Sequence, residues 1–204
     1  MVNHTTLLNL RVGNWNYNHV AGIAALNNSL WKTIYFSTVI PAFFETYEYI
    51  RTIHLFDNVK LHKKHKITKN FLHFMIGSGI LAFILPFLYP QYFYPLIWLT
   101  FFLLLDPVNY LHKQPSIIGH LKDRNLVLPL SLLLAGIIMG FFWEFWNYWA
   151  ITKWYYTIPF LNFFKIFEMP ILGYLGYFPF AFELYSMYFF VQSLFLKKEK
   201  LLLD

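Results

Sequence analysis

Apolar residues in this chain run together over long stretches, instead of alternating or forming a narrow helical stripe. Residues 71–89 are 19 consecutive positions without Asp, Glu, Lys or Arg, enough for a helix to cross the hydrocarbon core of a bilayer. Pro90-Gln91 marks a tight turn, and residues 92–111 return, with Asp106-Pro107 near the end. Residues 126–142 are again apolar, and 143–149 continue that helix into a Trp/Tyr belt of the kind found at membrane–water boundaries. Residues 30–50 form a first span in which Pro41, Glu45 and Glu48 follow an apolar start. Residues 169–196 form a last span, interrupted by Pro170, Gly173, Gly176 and Pro179, and so expected to be broken or tilted.

The pattern predicts an all-α, polytopic membrane helix bundle of about five transmembrane helices. It divides the chain into an interfacial or extramembrane segment (1–29), the bundle (30–196) and a tail (197–204). Residues 155–167 are a candidate sixth element, a re-entrant or surface helix. Segment 1–29 lacks the charged-then-apolar order of a cleavable signal peptide, so insertion is expected to rely on the first span.

Composition agrees with this reading. The chain is 58% hydrophobic and only 13% charged, about half the charge of a soluble domain. Cysteine is absent, which excludes a disulfide framework, thiolate metal sites and a Cys nucleophile. The basic residues orient the bundle. Loops 51–70 and 112–125 and the tail carry twelve Lys and Arg; the opposite side carries three, Arg11, Lys153 and Lys165. By the positive-inside rule the loops and tail are cytoplasmic and the N-terminus is outside, as expected for a multi-pass protein of a bacterial inner membrane. These loops suit anionic headgroups, and no nucleic-acid partner is expected.

The candidate chemistry lies in carboxylates with apolar neighbours, which are costly without a partner or a function. Glu183 lies in Pro-Phe-Ala-Phe-Glu-Leu-Tyr and is expected to keep its proton and donate it. Glu144 sits among Phe142, Trp143, Phe145 and Trp146, with Asn147 three residues on. Glu45 has no local partner, whereas Glu48 is expected to pair with Arg51 at i+3. Asp106 is expected to end its helix, and Glu168 to cap the last span. Glu183, Glu45 and Glu144 are therefore the candidate catalytic residues. The aromatic and amide groups near them, Trp143, Trp146, Asn147, Trp154, Tyr156 and Tyr185, are candidate substrate contacts. Six His (His54, His62, His65, His73, His112 and His120) fall on or near the basic side, but His62-x-x-His65 in a Lys-rich loop fits a solvated surface better than a metal centre. No metal or other cofactor is expected, and no phosphate-binding loop or Ser nucleophile motif occurs.

Two stretches resemble each other. Trp15-Asn16-Tyr17 followed by Pro41-Ala42-Phe43-Phe44-Glu45-Thr46-Tyr47 matches Trp154-Tyr155-Tyr156 followed by Pro179-Phe180-Ala181-Phe182-Glu183-Leu184-Tyr185. The offset is 139 for the Trp and Tyr and 138 for the Pro and Glu. A parallel internal repeat would set equivalent side chains about one axis, with Glu45 and Glu183 facing a shared cavity.

On these residues the chain resembles the membrane lycopene cyclase-domain family of carotenoid synthesis, which has tandem membrane repeats and a W-x-Y-like stretch before a helix opening with Pro and nearby Glu. The family pattern puts its acids two and three positions after Pro; here each Glu is four after. The blocks WEFWNYW and EMPILGYLGYFPFAFELY also resemble those of uncharacterised bacterial polytopic membrane proteins. The cyclase resemblance implies proton-initiated ring closure of a long isoprenoid, without a cofactor and without net redox change. A carboxyl would protonate a terminal double bond, aromatic faces would steady the cation, and a second carboxylate would remove the last proton. Two rival classes fit the same residues. One is a non-enzymatic membrane subunit or a lipid- or pigment-binding protein, in a homo- or hetero-oligomer. The other is a small proton-coupled transporter using Glu45 and Glu183.

Overall fold

The computed structural model describes residues 9, 13–17, 37–63, 66–158 and 162–195. Most of segment 1–29, the first seven positions of the expected first span, Lys64, His65 and the tail lie outside the described residues. The fold is mainly helical. Its helices are α1 (Val39–Thr52), α2 (Lys69–Leu88), α3 (Pro90–Leu111), α4 (Ile117–Lys122), α5 (Val127–Trp149) and α6 (Tyr177–Phe195). Among the described residues, α2, α3 and α5 are long and apolar enough to cross a membrane. α6 is 19 residues long, but Glu183, Gln192 and its tyrosines lower its hydropathy.

Helix α2 shows how such an element is built. Its buried residues are Leu72, Met75, Gly79, Ala82 and Pro86, a spacing of alternating threes and fours that makes one narrow contact stripe. Beyond its first turn most of the remaining surface is apolar, with Phe74, Ile80, Leu81 and Ile84 exposed. A helix apolar all round, with only one stripe packed, is made for lipid. Thr68 caps its start, accepting the Phe71 N–H at 3.2 Å. The expected turn at Pro90-Gln91 is instead a helical turn, Pro90–Phe93, leading through a 3-10 stretch, Tyr94–Leu99, into the α-helical Thr100–Leu111.

The helices pack in a row that does not follow chain order: α2 against α3, α3 against α6, α6 against α5, and α5 against α1. The largest core cluster lies along α1, α5 and α6, with Phe43, Tyr47, Ile50, Leu132, Ala135, Ala181, Leu184 and Tyr185.

Short antiparallel ribbons replace two irregular regions. Strand β1 (Trp15–Tyr17) pairs with β2 (Trp154–Tyr156) in the register Trp15↔Tyr156 and Tyr17↔Trp154. Strand β3 (Lys165–Ile166) pairs with β4 (Met169–Pro170). Residues 155–167 are thus not a helix among the described residues. A 3-10 turn, Ile171–Gly176, follows β4, so the last helix starts at Tyr177, eight residues later than expected. Pro179 then falls in the first turn, where a missing N–H costs little. Glu168 does not cap that helix: it pairs with Lys153 at 2.6 Å.

One asparagine fastens each strand of the β1–β2 ribbon. Asn147 Nδ2 donates to the Trp154 carbonyl (2.8 Å) and Asn147 Oδ1 accepts the Trp154 N–H (2.9 Å). Asn9 makes the same pair of bonds to Trp15, at 2.8 and 3.1 Å. Asn147 is buried, and losing two internal bonds there costs about 1–3 kcal/mol. Asn147→Ala is therefore expected to lower the thermal midpoint in detergent, whereas Asn147→Asp, which keeps the acceptor, is expected to cost less.

At the opposite end the two basic loops are joined. Lys60 and Asn125 form an isolated β-bridge. Leu61 N–H donates to the Arg124 carbonyl (3.1 Å), and Arg124 Nε donates to the Leu61 carbonyl (2.8 Å).

Candidate functional site

On α5, Leu128, Leu132, Gly136, Gly140 and Glu144 recur every fourth position and are all buried. They form one face, and that face meets α6. Side chains placed on the two glycines would collide with α6. A Cβ on Gly136 would come within 2.7 Å of the Tyr177 carbonyl oxygen, and one on Gly140 would run into the Tyr177 ring. The G-x-x-x-G pattern is thus the seat for the start of α6, the close approach such glycines permit.

That seat carries the Tyr177 hydroxyl to Glu144, where it donates to Oε1 at 3.1 Å. Tyr156 on β2 donates to the same oxygen at 2.7 Å. Behind it, the Trp154 indole N–H donates to the Tyr156 hydroxyl at 3.0 Å. Burial, then the neighbouring Tyr177 and Glu144, push the Tyr156 phenol well above its ordinary range, so it remains a donor at neutral pH. Glu144 itself is 0% exposed, and its second oxygen, Oε2, is buried without a hydrogen-bond partner. Neither ion pair among the described residues involves it. Three uncharged donors, in series and in parallel, therefore hold this carboxyl.

An apolar crevice adjoins it, lined by Val39 and Phe43 of α1, Gly136, Met139, Gly140 and Trp143 of α5, and Tyr177, Phe180 and Leu184 of α6. Tyr177 belongs to both features: its ring lines the crevice and its hydroxyl binds Glu144. The crevice is narrow, with a free volume of about 10 Å³, roughly one water-sized sphere. One wall is Met139, an unbranched side chain of a type that adapts readily; its sulfur accepts the Thr46 hydroxyl at 3.2 Å.

The other expected site residues divide. Trp143 lines the crevice and packs edge-on against Trp154, ring centroids 6.2 Å apart. Asn147 is spent on the β2 clamp. Trp146 is 62% exposed and faces away from the bundle. Tyr185 is buried against Phe189, centroids 4.6 Å apart. Glu183 is 1% exposed, but it belongs to another contact: its Oε1 accepts the Phe101 N–H of α3 at 3.4 Å, and its Oε2 has no partner. Glu45 is exposed on α1. Glu45 and Glu183 therefore do not line one cavity. Glu48 is also exposed, and its expected partner Arg51 bonds instead to Tyr47.

The sequence pattern put Asp106 at a helix end and gave no sign that it is buried inside the helix. Asp106 lies inside α3 and accepts the Ile117 and Ile118 N–H groups (2.8 and 2.9 Å) and the Ser186 hydroxyl (3.3 Å). It holds the start of α4 and part of α6 and does not end its own helix. Tyr177 was missed as well; its i+4 relation to nothing polar gave no signal, although the glycines opposite it did.

Among the described residues no group of three His, Cys, Asp or Glu is placed to hold a metal ion. No family model, curated protein or solved structure matches the chain, so the site is read from its own geometry.

Substituting Gly140 tests that geometry directly. Overpacking at such a contact costs about 1–3 kcal/mol, so Gly140→Ala is expected to lower the thermal midpoint and part Tyr177 from Glu144. In the Tyr177→Phe background the same change should cost no extra hydrogen bond, which a double-mutant cycle in detergent measures.

Proposed function

We propose that the chain is a membrane-embedded acid–base enzyme acting on an apolar, isoprenoid-class substrate, with Glu144 as the catalytic acid. The observation that carries this is a fully buried carboxyl, with one oxygen held by two tyrosine hydroxyls and the other unpartnered, beside a crevice with an entirely apolar lining. In this reading a polyene chain parts α1 from α5 and α6 by turning Met139 aside. Glu144 gives its proton to a terminal double bond. The cation closes onto a second double bond, steadied by the faces of Trp143 and Phe43. The carboxylate then takes a proton from the adjacent carbon. Atoms and electrons balance as an isomerisation, the reaction that the cyclase resemblance implies. Glu144 replaces Glu183 and Glu45 as the leading residue.

The topology belongs to the same proposal. Five crossings, by α1, α2, α3, α5 and α6, are supported by what meets at each end. The β1–β2 ribbon joins the segment before α1 to the segment after α5, and the Lys60–Asn125 bridge joins the two basic loops. With the basic end cytoplasmic, the N-terminus is outside and the protein lies in a bacterial inner membrane. A parallel repeat is supported by the like-with-like ribbon and by its two clamps: Asn9 and Asn147 are 138 apart, the offset of the Pro and Glu matches.

The first test is mass spectrometry of apolar molecules extracted from purified wild type and Glu144→Gln. An enzyme retains an isoprenoid whose substrate-to-product ratio shifts in the variant. A ligand-binding protein without chemistry retains the same molecule unchanged in both. Bulk phospholipid alone in both would contradict the proposal.

A further inference from the structure

Arg51 stands in the last turn of α1, at the end of the bundle where the basic loops meet. Its side chain is half-buried. Nη1 donates to the Tyr47 hydroxyl at 3.3 Å. Nε is shut away from solvent with no acceptor. A guanidinium is always charged and presents five donors in a fixed fork, so one phenol leaves it far from satisfied. The end of a helix favours a cation, but that field gives Nε no hydrogen bond.

The acids nearby do not supply one. Glu48, three positions earlier on the same helix, is exposed, and neither ion pair among the described residues includes Arg51. The Asp106 carboxylate is occupied by Ile117, Ile118 and Ser186. Asp123 lies within electrostatic range of His120. Ile117 of α4 packs in the same core cluster as Tyr47 and Ile50 of α1, and burial, then the Arg51 charge, hold His120 of α4 below its ordinary value despite that acid. Lys60 and Arg124 lie at the same end, on loops held together by the Lys60–Asn125 bridge, and Lys122 ends α4 there. A half-buried cation in basic surroundings, paired with no carboxylate among the described residues, is matched by an anion from outside the chain. The two Nη groups at the tip of a guanidinium suit the paired oxygens of a phosphoryl group.

We infer that Arg51 anchors a phosphoryl-binding site between the end of α1 and helix α4, taking the phosphate of an anionic amphiphile's headgroup or free phosphate. This inference stands apart from the Glu144 chemistry, which lies toward the other end of α5.

The test uses the full chain in nanodiscs of phosphatidylcholine, with or without phosphatidic acid, and in detergent with inorganic phosphate. Native mass spectrometry and the thermal midpoint are the readouts. The wild type should retain phosphatidic acid over phosphatidylcholine. Arg51→Gln should weaken that retention about tenfold, while Lys165→Gln at the opposite end changes nothing. Protection by inorganic phosphate alone, also lost in Arg51→Gln, would identify the free anion as the source. Equal retention by wild type and Arg51→Gln, or no phosphate-bearing ligand on the wild type, would overturn the site. Should Arg51→Gln fail to fold, hydrogen exchange on the wild type decides the matter: phosphatidic acid should slow exchange in the last turn of α1 and in α4, and uniform protection across the chain would overturn the inference.

Discussion

Replacing Asp106 by alanine is expected to destabilise the protein by about 3–5 kcal/mol, the largest effect of any single change described here. Asp106 is 0% exposed, and its two oxygens accept the Ile117 and Ile118 N–H groups. Both residues are themselves buried, so water does not readily replace the lost acceptor. The Ser186 hydroxyl also loses its partner, and the neighbouring Asn109, whose Nδ2 donates to the Ser186 carbonyl at 2.9 Å, loses its alignment. Asp106→Asn keeps one acceptor and presents an N–H to a donor, so about half the loss is expected. Thermal melting in detergent, followed by tryptophan fluorescence, measures both. A midpoint for Asp106→Ala equal to wild type would remove Asp106 from the account of how α3, α4 and α6 are joined.

Glu144→Gln is expected to leave the fold nearly intact and to reduce turnover by about 10²–10⁴-fold, the usual range for a positioned proton donor. The amide keeps a carbonyl acceptor for the Tyr156 and Tyr177 hydroxyls but delivers no proton. Glu144→Leu removes that acceptor. Two buried hydroxyls are then unsatisfied, at about 1–3 kcal/mol each, and the β1–β2 ribbon loses a tie to α5. Comparison of the two variants separates chemistry from packing. If both lose activity only in proportion to folded protein, Glu144 is a structural knot. If glutamine loses activity at wild-type stability, it is the acid.

Much of this was legible in the chain because bilayer-crossing helices must be long and apolar. The runs that became α2, α3 and α5 needed no tertiary information. The start of α6 was misplaced because Pro170, Gly173, Gly176 and Pro179 each permit several conformations, and only the packing of Tyr177 onto Gly136 and Gly140 selects one. For the site, the i+4 series Gly136, Gly140, Glu144 already put a carboxyl on the face of closest helix contact. Its partners did not follow from spacing, because Tyr156 reaches it from a ribbon and Tyr177 from another helix. Spacing also misled at Glu48 and Arg51. They are three apart, yet Arg51 turns to Tyr47 on the buried face while Glu48 points outward. The paired W-x-Y stretches were visible as a match; that they hydrogen-bond to each other was not.

Photo-crosslinking tests the central claim most directly, that an apolar ligand lies in the crevice beside Glu144. A diazirine-bearing farnesyl probe would be added to the purified protein and the labelled peptides sequenced. The account predicts label on Phe43, Met139, Trp143, Tyr177 or Phe180, competed away by an excess of unlabelled polyprenoid. Label spread over the lipid-facing surface of α2, at Phe74, Leu81 or Ile84, with no competition, would contradict it.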